Sequence, residues 1–273
     1  MRRLVLSLSF AVFGTSLSAA TPAEVERLWQ ALEMPAVIGI MREEGLAYGQ
    51  SLDADMLEGR GGQTFLAQVE RIYDGERMLV TARSAFSGAF ADKDLGAALR
   101  FYESPTGVKA IDLEIEARRA MLDPEVDRAA RDAAVELAQT DPERYALITR
   151  FAEVNDLIEA NVAGGLNSIY AFFKGMASQG ALGEEMDEAA ILEEVWAQES
   201  VLRDETTDWV GGFLTLSYQG LSMAELEDYV AFSDSPPGQD VNRTLFAAFD
   251  VMFNGIARQL GAAVGGKLVG EEL

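Results

Sequence analysis

The hydrophobic and polar positions of this chain alternate with the period of an α-helix over most of its length. Two stretches, 147–162 and 202–216, carry mainly apolar residues at steps of three and four, which is the spacing of one helix face. The first series is Leu147, Phe151, Val154, Ile158 and Val162, and the second is Leu202, Thr206, Trp209, Phe213 and Leu216. Because the chain has no convincing alternating runs flanked by hairpin turns, the pattern predicts an all-α protein.

The prolines indicate where the helices begin. Five of the seven directly follow a good helix-capping residue, whose side-chain oxygen accepts an unpaired backbone N–H, and proline has no such N–H to lose. These pairs are Thr21-Pro22, Ser104-Pro105, Asp123-Pro124, Asp141-Pro142 and Ser235-Pro236. Thr21 with Glu24, and Ser222 with Glu225, also have the spacing of a capping box.

Together, spacing and capping predict nine helices separated by short turns. They cover 22–43, 64–88, 92–102, 105–121, 124–139, 142–178, 187–218, 223–232 and 236–262. Residues 53–62 are expected to form a loop, because the sequence Gly-Arg-Gly-Gly at 59–62 cannot sustain a helix. The glycine-rich residues 263–273 are expected to form a flexible tail.

One short pattern occurs twice. Phe101-Tyr102-Glu103-Ser104-Pro105-Thr106-Gly107 returns 131 residues later as Phe232-Ser233-Asp234-Ser235-Pro236-Pro237-Gly238. In each copy the phenylalanine anchors the end of one helix, Ser-Pro begins the next, and glycine relaxes the first turn, which describes an αα corner. We therefore expect two homologous helical halves, 21–140 and 141–262, packed as one structural unit because no flexible linker separates them.

The first copy resembles a corner of a family of exported bacterial proteins. It matches in full the Phe-Tyr-x-Ser-Pro-x-Gly element of the family catalogued as domain of unknown function twenty fifty-nine, whereas the second copy has Ser233 in place of tyrosine. The resemblance covers the corner and its flanking helices. It implies an all-helical periplasmic or envelope protein, and it carries no catalytic residues to this chain because the family has none established.

The first twenty residues read as a secretory signal. Arg2 and Arg3 precede an apolar run from Leu4 to Phe13, and small residues then lead to Ala20, after which we expect cleavage. The apolar run is too short to cross a bilayer, whose hydrocarbon core is about 30 Å thick. The predicted location is therefore the periplasm, with no stable membrane insertion once residues 1–20 are removed.

Removal of the signal makes an acidic chain still more acidic. It leaves 20 basic residues against 45 acidic ones, a formal charge of −25. Nucleic acid is excluded as a partner, because binding it requires a basic surface. Apolar residues make up 49% of the sequence, with three Trp and fourteen Phe, which indicates a sizeable core rather than disorder. Since there is no Cys, packing must hold the fold without disulfides.

The absence of Cys and His excludes Ser-His-Asp and Cys-His catalysis and zinc sites built from these residues. Residues 261–267 have the spacing of a phosphate loop, but Leu268 stands where Ser or Thr is required and a helix precedes the motif. Residues 53–59 begin like a calcium loop, but Leu57 takes the place of an oxygen ligand. We therefore expect no cofactor and no metal, with a weak divalent site at Asp53, Asp55 and Glu58 as the lesser alternative to a solvated loop.

Carboxylate pairs are the catalytic groups that remain. The available acids are Glu43, Glu44, Glu103, Glu114, Glu116, Glu184, Glu185, Glu193 and Glu194. Glycoside cleavage needs two carboxyls about 5–10 Å apart across a cleft, and the sequence indicates no such pair. Glu103, with Asp234 at the matching place, is interpreted as an acid that caps or solvates the start of the next helix.

Five aromatic residues are candidates for an apolar pocket between helices, although aromatics at helical spacing are more often part of a core. They are Tyr102, Phe172, Phe173, Trp196 and Trp209. Two functions follow. The first is a non-enzymatic envelope module that binds a protein or a small ligand, and the second is a carboxylate-dependent hydrolase of cell-wall glycans. The catalytic residues are unknown, and the corner residues are assigned a structural role.

Overall fold

The structure, a computed structural model, describes residues 19–183 and 186–271, and these residues form helices and turns without a strand. The predicted all-α class is confirmed. The predicted signal residues 1–18 lie outside the described residues. The helices are α1 (Pro22–Ala31), α2 (Met34–Met56), α3 (Gly62–Ile72), α4 (Gly75–Phe90), α5 (Gly96–Tyr102), α6 (Pro105–Ala120), α7 (Pro124–Thr140), α8 (Pro142–Val154), α9 (Leu157–Ala177), α10 (Glu188–Ala197), α11 (Glu199–Tyr218), α12 (Met223–Asp234) and α13 (Pro236–Glu271).

The predicted helix starts are observed at the prolines. Thr21 and Ser222 each form the expected capping box with the glutamate three residues later. The Asp123 side chain accepts from Glu125 N–H at 2.8 Å, and the Asp141 side chain accepts from the N–H three residues later at 3.1 Å. These caps are local in sequence, and sequence alone therefore predicts them well.

Four predicted long helices were wrong in extent, because each is two helices. The prediction 22–43 divides at Glu33, and 142–178 divides at Asp156; both residues have left-handed backbones, with φ of 46° and 52°. A single left-handed residue ends the run of helical hydrogen bonds and turns the chain, yet it interrupts the apolar spacing by only one or two positions. Because the apolar spacing continues across the break, the sequence pattern does not reveal the break.

The other two divisions lie in 64–88 and 187–218. The first is divided at Asp74, whose side chain caps α4 by accepting the Arg77 N–H at 2.9 Å, and the second is divided at Gln198, after which α11 begins. The predicted loop 53–62 was also too long. Helix α2 continues to Met56, and α3 starts at Gly62, so that the loop is shorter than expected.

The glycine-rich tail is helical instead of frayed. Helix α13 runs over 36 residues to Glu271, well beyond the predicted end at residue 262. A Cβ on Gly261 would lie 1.9 Å from the Phe172 carbonyl oxygen, and a Cβ on Gly175 would lie 2.1 Å from the Arg258 carbonyl oxygen. Glycine here permits the backbones of α9 and α13 to touch, and this close packing holds the end of α13 in place.

The helices share one hydrophobic core. Helix α13 packs on α9 and α4, and α11 packs on α7 and α6. Trp29, Phe65, Phe86 and Tyr218 are among the largest fully buried side chains. Within the described part of the chain, no helix is both long and apolar enough to cross a membrane.

Candidate functional site

The first corner joins α5 to α6. Ser104 has an extended backbone, and its hydroxyl accepts the Gly107 N–H at 3.1 Å. Its own N–H donates to the Phe101 carbonyl at 2.9 Å. A Cβ on Gly107 would lie 2.1 Å from that same Phe101 carbonyl oxygen and 2.7 Å from the Tyr102 Cα. The corner therefore requires glycine for the close approach of two backbones, rather than to relax the helix turn as expected.

The second corner, between α12 and α13, has the same local geometry. The Ser235 hydroxyl accepts the Gly238 N–H at 3.3 Å, and the Ser235 N–H donates to the Phe232 carbonyl at 3.0 Å. A Cβ on Gly238 would lie 2.1 Å from the Phe232 carbonyl oxygen and 2.8 Å from the Ser233 Cα. Each distance agrees with its counterpart in the first corner within a few tenths of an ångström.

The two corners pack directly against each other. The rings of Phe101 and Phe232 are stacked, with centroids 4.2 Å apart and planes inclined by 3°. Tyr102 meets Phe232 edge-on, with ring centroids 5.4 Å apart. The helix that follows each corner packs against the helix that precedes the other, α6 against α12 and α13 against α5. The two copies of the pattern thus meet in one aromatic contact.

The acid of each corner is held by an arginine. Glu103 accepts from Arg27 of α1 at 2.8 Å, and Asp234 accepts from Arg150 of α8 at 2.8 Å. All four side chains are exposed to solvent over roughly half of their surface or somewhat less, between 38% and 55%. These pairs tie the helix before each corner to a neighbouring helix, and they hold both acids on the surface.

A third acid, Glu114 of α6, lies inside the fold close to the corner contact. The hydroxyls of Tyr218 and Tyr229 both donate to its Oε1, at 2.8 and 2.9 Å. Tyr102 of the first corner completes the group by a contact with the Tyr229 hydroxyl. These four residues, named here the Glu114 cluster, bring together α5, α6, α11 and α12.

Burial dominates the electrostatics of the Glu114 cluster. It raises the pKa of Glu114 to about 7, against the opposing effect of the two tyrosine hydrogen bonds, although the side chain keeps partial contact with solvent. Burial also raises the pKa of Tyr102, Tyr218 and Tyr229, so the tyrosines stay protonated and donate. The cluster therefore contains an acid, Glu114, whose charge changes with pH near neutrality.

Among the predicted acids that the structure describes, Glu114 is the one with a raised pKa, but its arrangement is not a glycosidase pair. Its described hydrogen-bond partners are tyrosine hydroxyls rather than a second carboxyl group. Glu44 is bound at both oxygens by the Arg118 guanidinium, at 3.0 and 2.9 Å. Glu184 and Glu185 lie outside the described residues. Catalysis by a carboxylate pair stays a prediction.

A second feature of the structure is a pocket among α2, α6, α9, α11 and α13, with a cavity volume of about 460 Å³. Five aromatic rings and one acid dominate its lining: Trp209, Phe213, Phe246, Phe249, Phe253 and Asp250. We call it the aromatic pocket. Each of the five aromatic residues is partly exposed, and four of them, Trp209, Phe213, Phe249 and Phe253, also pack against the core. Volume and lining are typical of a site for a small, partly apolar ligand.

Asp250 is the polar group that distinguishes the aromatic pocket. Within the described part of the chain it makes no hydrogen bond or ion pair, and burial alone raises its pKa. Gly164 of α9 faces it, and a Cβ added there would meet only the Asp250 carboxylate, at 3.0 Å. The Arg118 guanidinium also lines the pocket, but Glu44 binds it at both carboxylate oxygens. Asp250 is thus a carboxylate without a counter-ion in an aromatic surrounding.

The sequence did not single out Asp250, although a signal was present. Phe246, Asp250 and Phe253 are spaced by four and three, so the acid lies on the aromatic face of its helix. An acid on such a face is either paired with a base from another helix or turned to a cavity. The choice between these depends on α9, where glycine stands at position 164.

The five aromatics singled out in the sequence have different places in the structure. Tyr102 is buried in the core as expected, and Phe172 and Phe173 line a separate cavity of about 440 Å³ between α2, α9 and α13. Trp209 lines the aromatic pocket, where its ring stacks on Phe213 with centroids 5.1 Å apart. Trp196 is 66% exposed, so its assignment to the core was wrong.

The two loop motifs have structural explanations. Asp53 belongs to α2, and its Oδ1 accepts the Gly61 N–H at 2.8 Å, which closes the turn between α2 and α3. Gly261 and Gly265 of the apparent phosphate loop lie within α13, where both glycines meet the backbone of α9.

Comparison with known proteins gives one similarity. Neither the curated proteins nor the solved structures contain a match to the chain. Residues 76–136, less than a quarter of the sequence, match the sequence model of a family described as an uncharacterized protein conserved in bacteria (DUF2059). The matched segment covers nearly all of α4 to α7, and hence the first corner and Glu114, but not the second corner. The part of the chain built around Phe101–Gly107 is therefore similar to a conserved bacterial domain of unknown function, DUF2059.

Proposed function

We propose that this chain is a non-enzymatic binding protein of the bacterial cell envelope, which holds a small, partly apolar ligand in the aromatic pocket. The observation that carries the proposal is the pocket itself, because five partly exposed aromatic rings and an unpaired acid surround a cavity of ligand size. Exposed aromatic surface costs free energy in an unliganded protein, and a bound ligand offsets that cost. The absence of Cys and His from the sequence, which excludes Ser-His-Asp and Cys-His catalysis, agrees with binding rather than turnover.

The proposal includes a duplicated architecture of two helical halves, 21–140 and 141–262. Support comes from the matching geometry of the two corners and from two further ion pairs. Lys109 of α6 binds Glu225 at 2.8 Å, and Lys93 before α5 binds Asp240 at 2.9 Å. Lys109 lies on the helix after the first corner, and Glu225 lies at the start of the helix before the second corner. Asp240 lies on the helix after the second corner, and Lys93 lies just before the helix that leads to the first. The two pairs thus occupy matching places, with base and acid interchanged. The second half supplies most of the pocket lining, and α2 and α6 of the first half close it.

Location in the periplasm, after cleavage behind Ala20, is also part of the proposal. The capping box of Thr21 supports it, because a fully capped helix starts directly after the predicted cleavage site. Fractionation of cells that express the full sequence, followed by intact-mass spectrometry, tests this point. We expect the mature chain in the periplasmic fraction with Thr21 as its first residue. Uncleaved protein in the cytoplasm would contradict it.

Ligand binding is tested with the neutral fluorescent probe N-phenyl-1-naphthylamine. We expect saturable binding of one probe per wild-type chain and loss of this binding in Gly164→Leu, since the new side chain would occupy the pocket beside Asp250. Gly39→Leu is the matched control, because Gly39 is exposed on α2 and its Cβ would meet no atom within 4 Å. Absence of saturable binding to the wild type, or equal binding by Gly164→Leu, would refute a binding role for this pocket.

A further inference from the structure

We propose that the ligand of the aromatic pocket is an organic cation, an ammonium group on an apolar body, and that Asp250 is its counter-ion. The inference rests on the proposed function and specifies the class of ligand. It combines three observations: a carboxylate without a partner, aromatic rings on the same lining, and a protein of strong negative charge.

The first observation is the isolation of Asp250. The other acids described above that approach the interior have partners, as Glu44 has Arg118 and Glu114 has two tyrosine hydroxyls. Asp250 lacks a described partner of either kind, and α9 approaches its carboxylate at Gly164, which has no side chain to pair with it. A partly buried carboxylate is costly unless it is paired, so a cation that enters the pocket removes this cost when it binds.

The second observation is the aromatic lining around that carboxylate. Phe246, Phe249 and Phe253 are on the same helix as Asp250, within four residues of it, and all three line the pocket. The face of an aromatic ring attracts a cation, and the attraction grows when both are removed from water. The structure already contains one such contact at the pocket wall, where the Arg118 guanidinium lies 5.9 Å from the centre of the Trp209 ring. A carboxylate surrounded by aromatic faces is suited to bind an ammonium group that is attached to an apolar body.

The third observation separates an organic cation from other ligands. The chain carries a formal charge of −23, which concentrates cations at its surface and repels anions. An anionic ligand would also lie against Asp250, while the one arginine of the lining is engaged by Glu44. A metal ion such as Ca²⁺ takes six to eight oxygen ligands, whereas this lining offers one carboxylate, Asp250, and otherwise only the side-chain oxygens of Asn161, Ser168 and Asn242. The ligand therefore carries its charge on a group that tolerates apolar neighbours.

Three probes with one body and different head groups test the inference: 4-phenylbutylamine, 4-phenylbutan-1-ol and 4-phenylbutyrate. In isothermal titration at neutral pH, we expect wild-type protein to bind the amine roughly tenfold or more tightly than the alcohol, since a charge-assisted hydrogen bond is worth more than a neutral one. Binding of the carboxylate should be weakest. In Asp250→Asn the preference for the amine over the alcohol should fall to about twofold or less, with the alcohol bound as before.

Two variants control this experiment. Asp250→Glu keeps the charge and should keep the preference for the amine, which also guards against a folding defect of Asp250→Asn. Asp228→Asn makes the same change of charge at an exposed position of α12 and should leave the preference intact. Equal affinity of the wild type for amine and alcohol, or an amine preference that survives in Asp250→Asn, would overturn the inference while leaving a binding role in place. If neither these probes nor N-phenyl-1-naphthylamine bind, the proposed function itself fails.

Discussion

The buried carboxyl group of Glu114 should make the stability of the protein depend on pH. Replacement by Gln keeps an oxygen that accepts from the hydroxyls of Tyr218 and Tyr229 but removes the ability to ionise. In the wild type the pKa of Glu114 is raised from 4.5 to about 7 by burial. The unfolded chain therefore loses its proton first, so the stabilisation by the protonated acid is complete below pH 4.5 and is lost as the pH rises to about 7.

The size of the effect follows from the same pKa. Each pKa unit corresponds to about 1.4 kcal/mol, and the difference between 4.5 and about 7 therefore amounts to roughly 3 kcal/mol. Partial contact of Glu114 with solvent reduces this value, and part of it is already lost at pH 5. Between pH 5 and pH 8 we expect the wild type to lose about 2 kcal/mol of its free energy of unfolding relative to Glu114→Gln.

Urea denaturation of both proteins across this pH range measures the difference directly. Glu116→Gln is the control, because Glu116 is exposed on the same helix and its replacement makes the same change of charge. The difference between wild type and Glu116→Gln should stay nearly constant with pH. Parallel pH profiles of wild type and Glu114→Gln would show that burial does not perturb the pKa of this acid.

The corners yield the remaining predictions. Gly107→Ala and Gly238→Ala should each lower the free energy of unfolding by about 1–3 kcal/mol in urea denaturation, because the new Cβ would overlap a backbone carbonyl oxygen at 2.1 Å. In Gly255→Ala, on the exposed face of α13, the new Cβ meets no atom, and the free energy of unfolding should instead rise by up to about 1 kcal/mol. Similar losses of stability in all three variants would contradict a steric need for glycine at the corners. Glu103→Gln and Asp234→Asn, which break exposed ion pairs, should leave the melting temperature almost unchanged, and a loss as large as that of the glycine variants would show that the pairs hold the corners.

Features set by neighbouring residues were predictable from the sequence. The capping side chains of Thr21, Ser104 and Asp141 lie within three residues of the N–H groups that they accept, so the sequence contains both partners at a fixed spacing. The breaks at Glu33 and Asp156 were not predictable in this way, because each needs a left-handed residue that nothing in the apolar period requires. The direction of the chain after such a break depends on what the next helix packs against.

The candidate sites depend on residues that are far apart in sequence. Glu114 and Tyr218 are separated by 104 positions, and Glu114 and Tyr229 by 115. Among the candidate glutamates that the structure describes, tertiary packing identifies Glu114 as the one that accepts from two tyrosine hydroxyls. Asp250 depends in the same way on Gly164, since a larger residue there would cover its carboxylate. The glycines of residues 263–273 predicted a flexible tail, whereas glycine in a helix also permits two backbones to meet, as Gly265 does at Met176.

The aromatic pocket is proposed to bind an apolar cation through Asp250. A crystal structure of the wild-type protein grown with saturating 4-phenylbutylamine is the decisive test. We expect the phenyl ring among Phe246, Phe249 and Phe253, with the ammonium nitrogen within hydrogen-bond distance of the Asp250 carboxylate. A pocket without the ligand under these conditions, or a bound ligand whose ammonium group points away from Asp250, would contradict it.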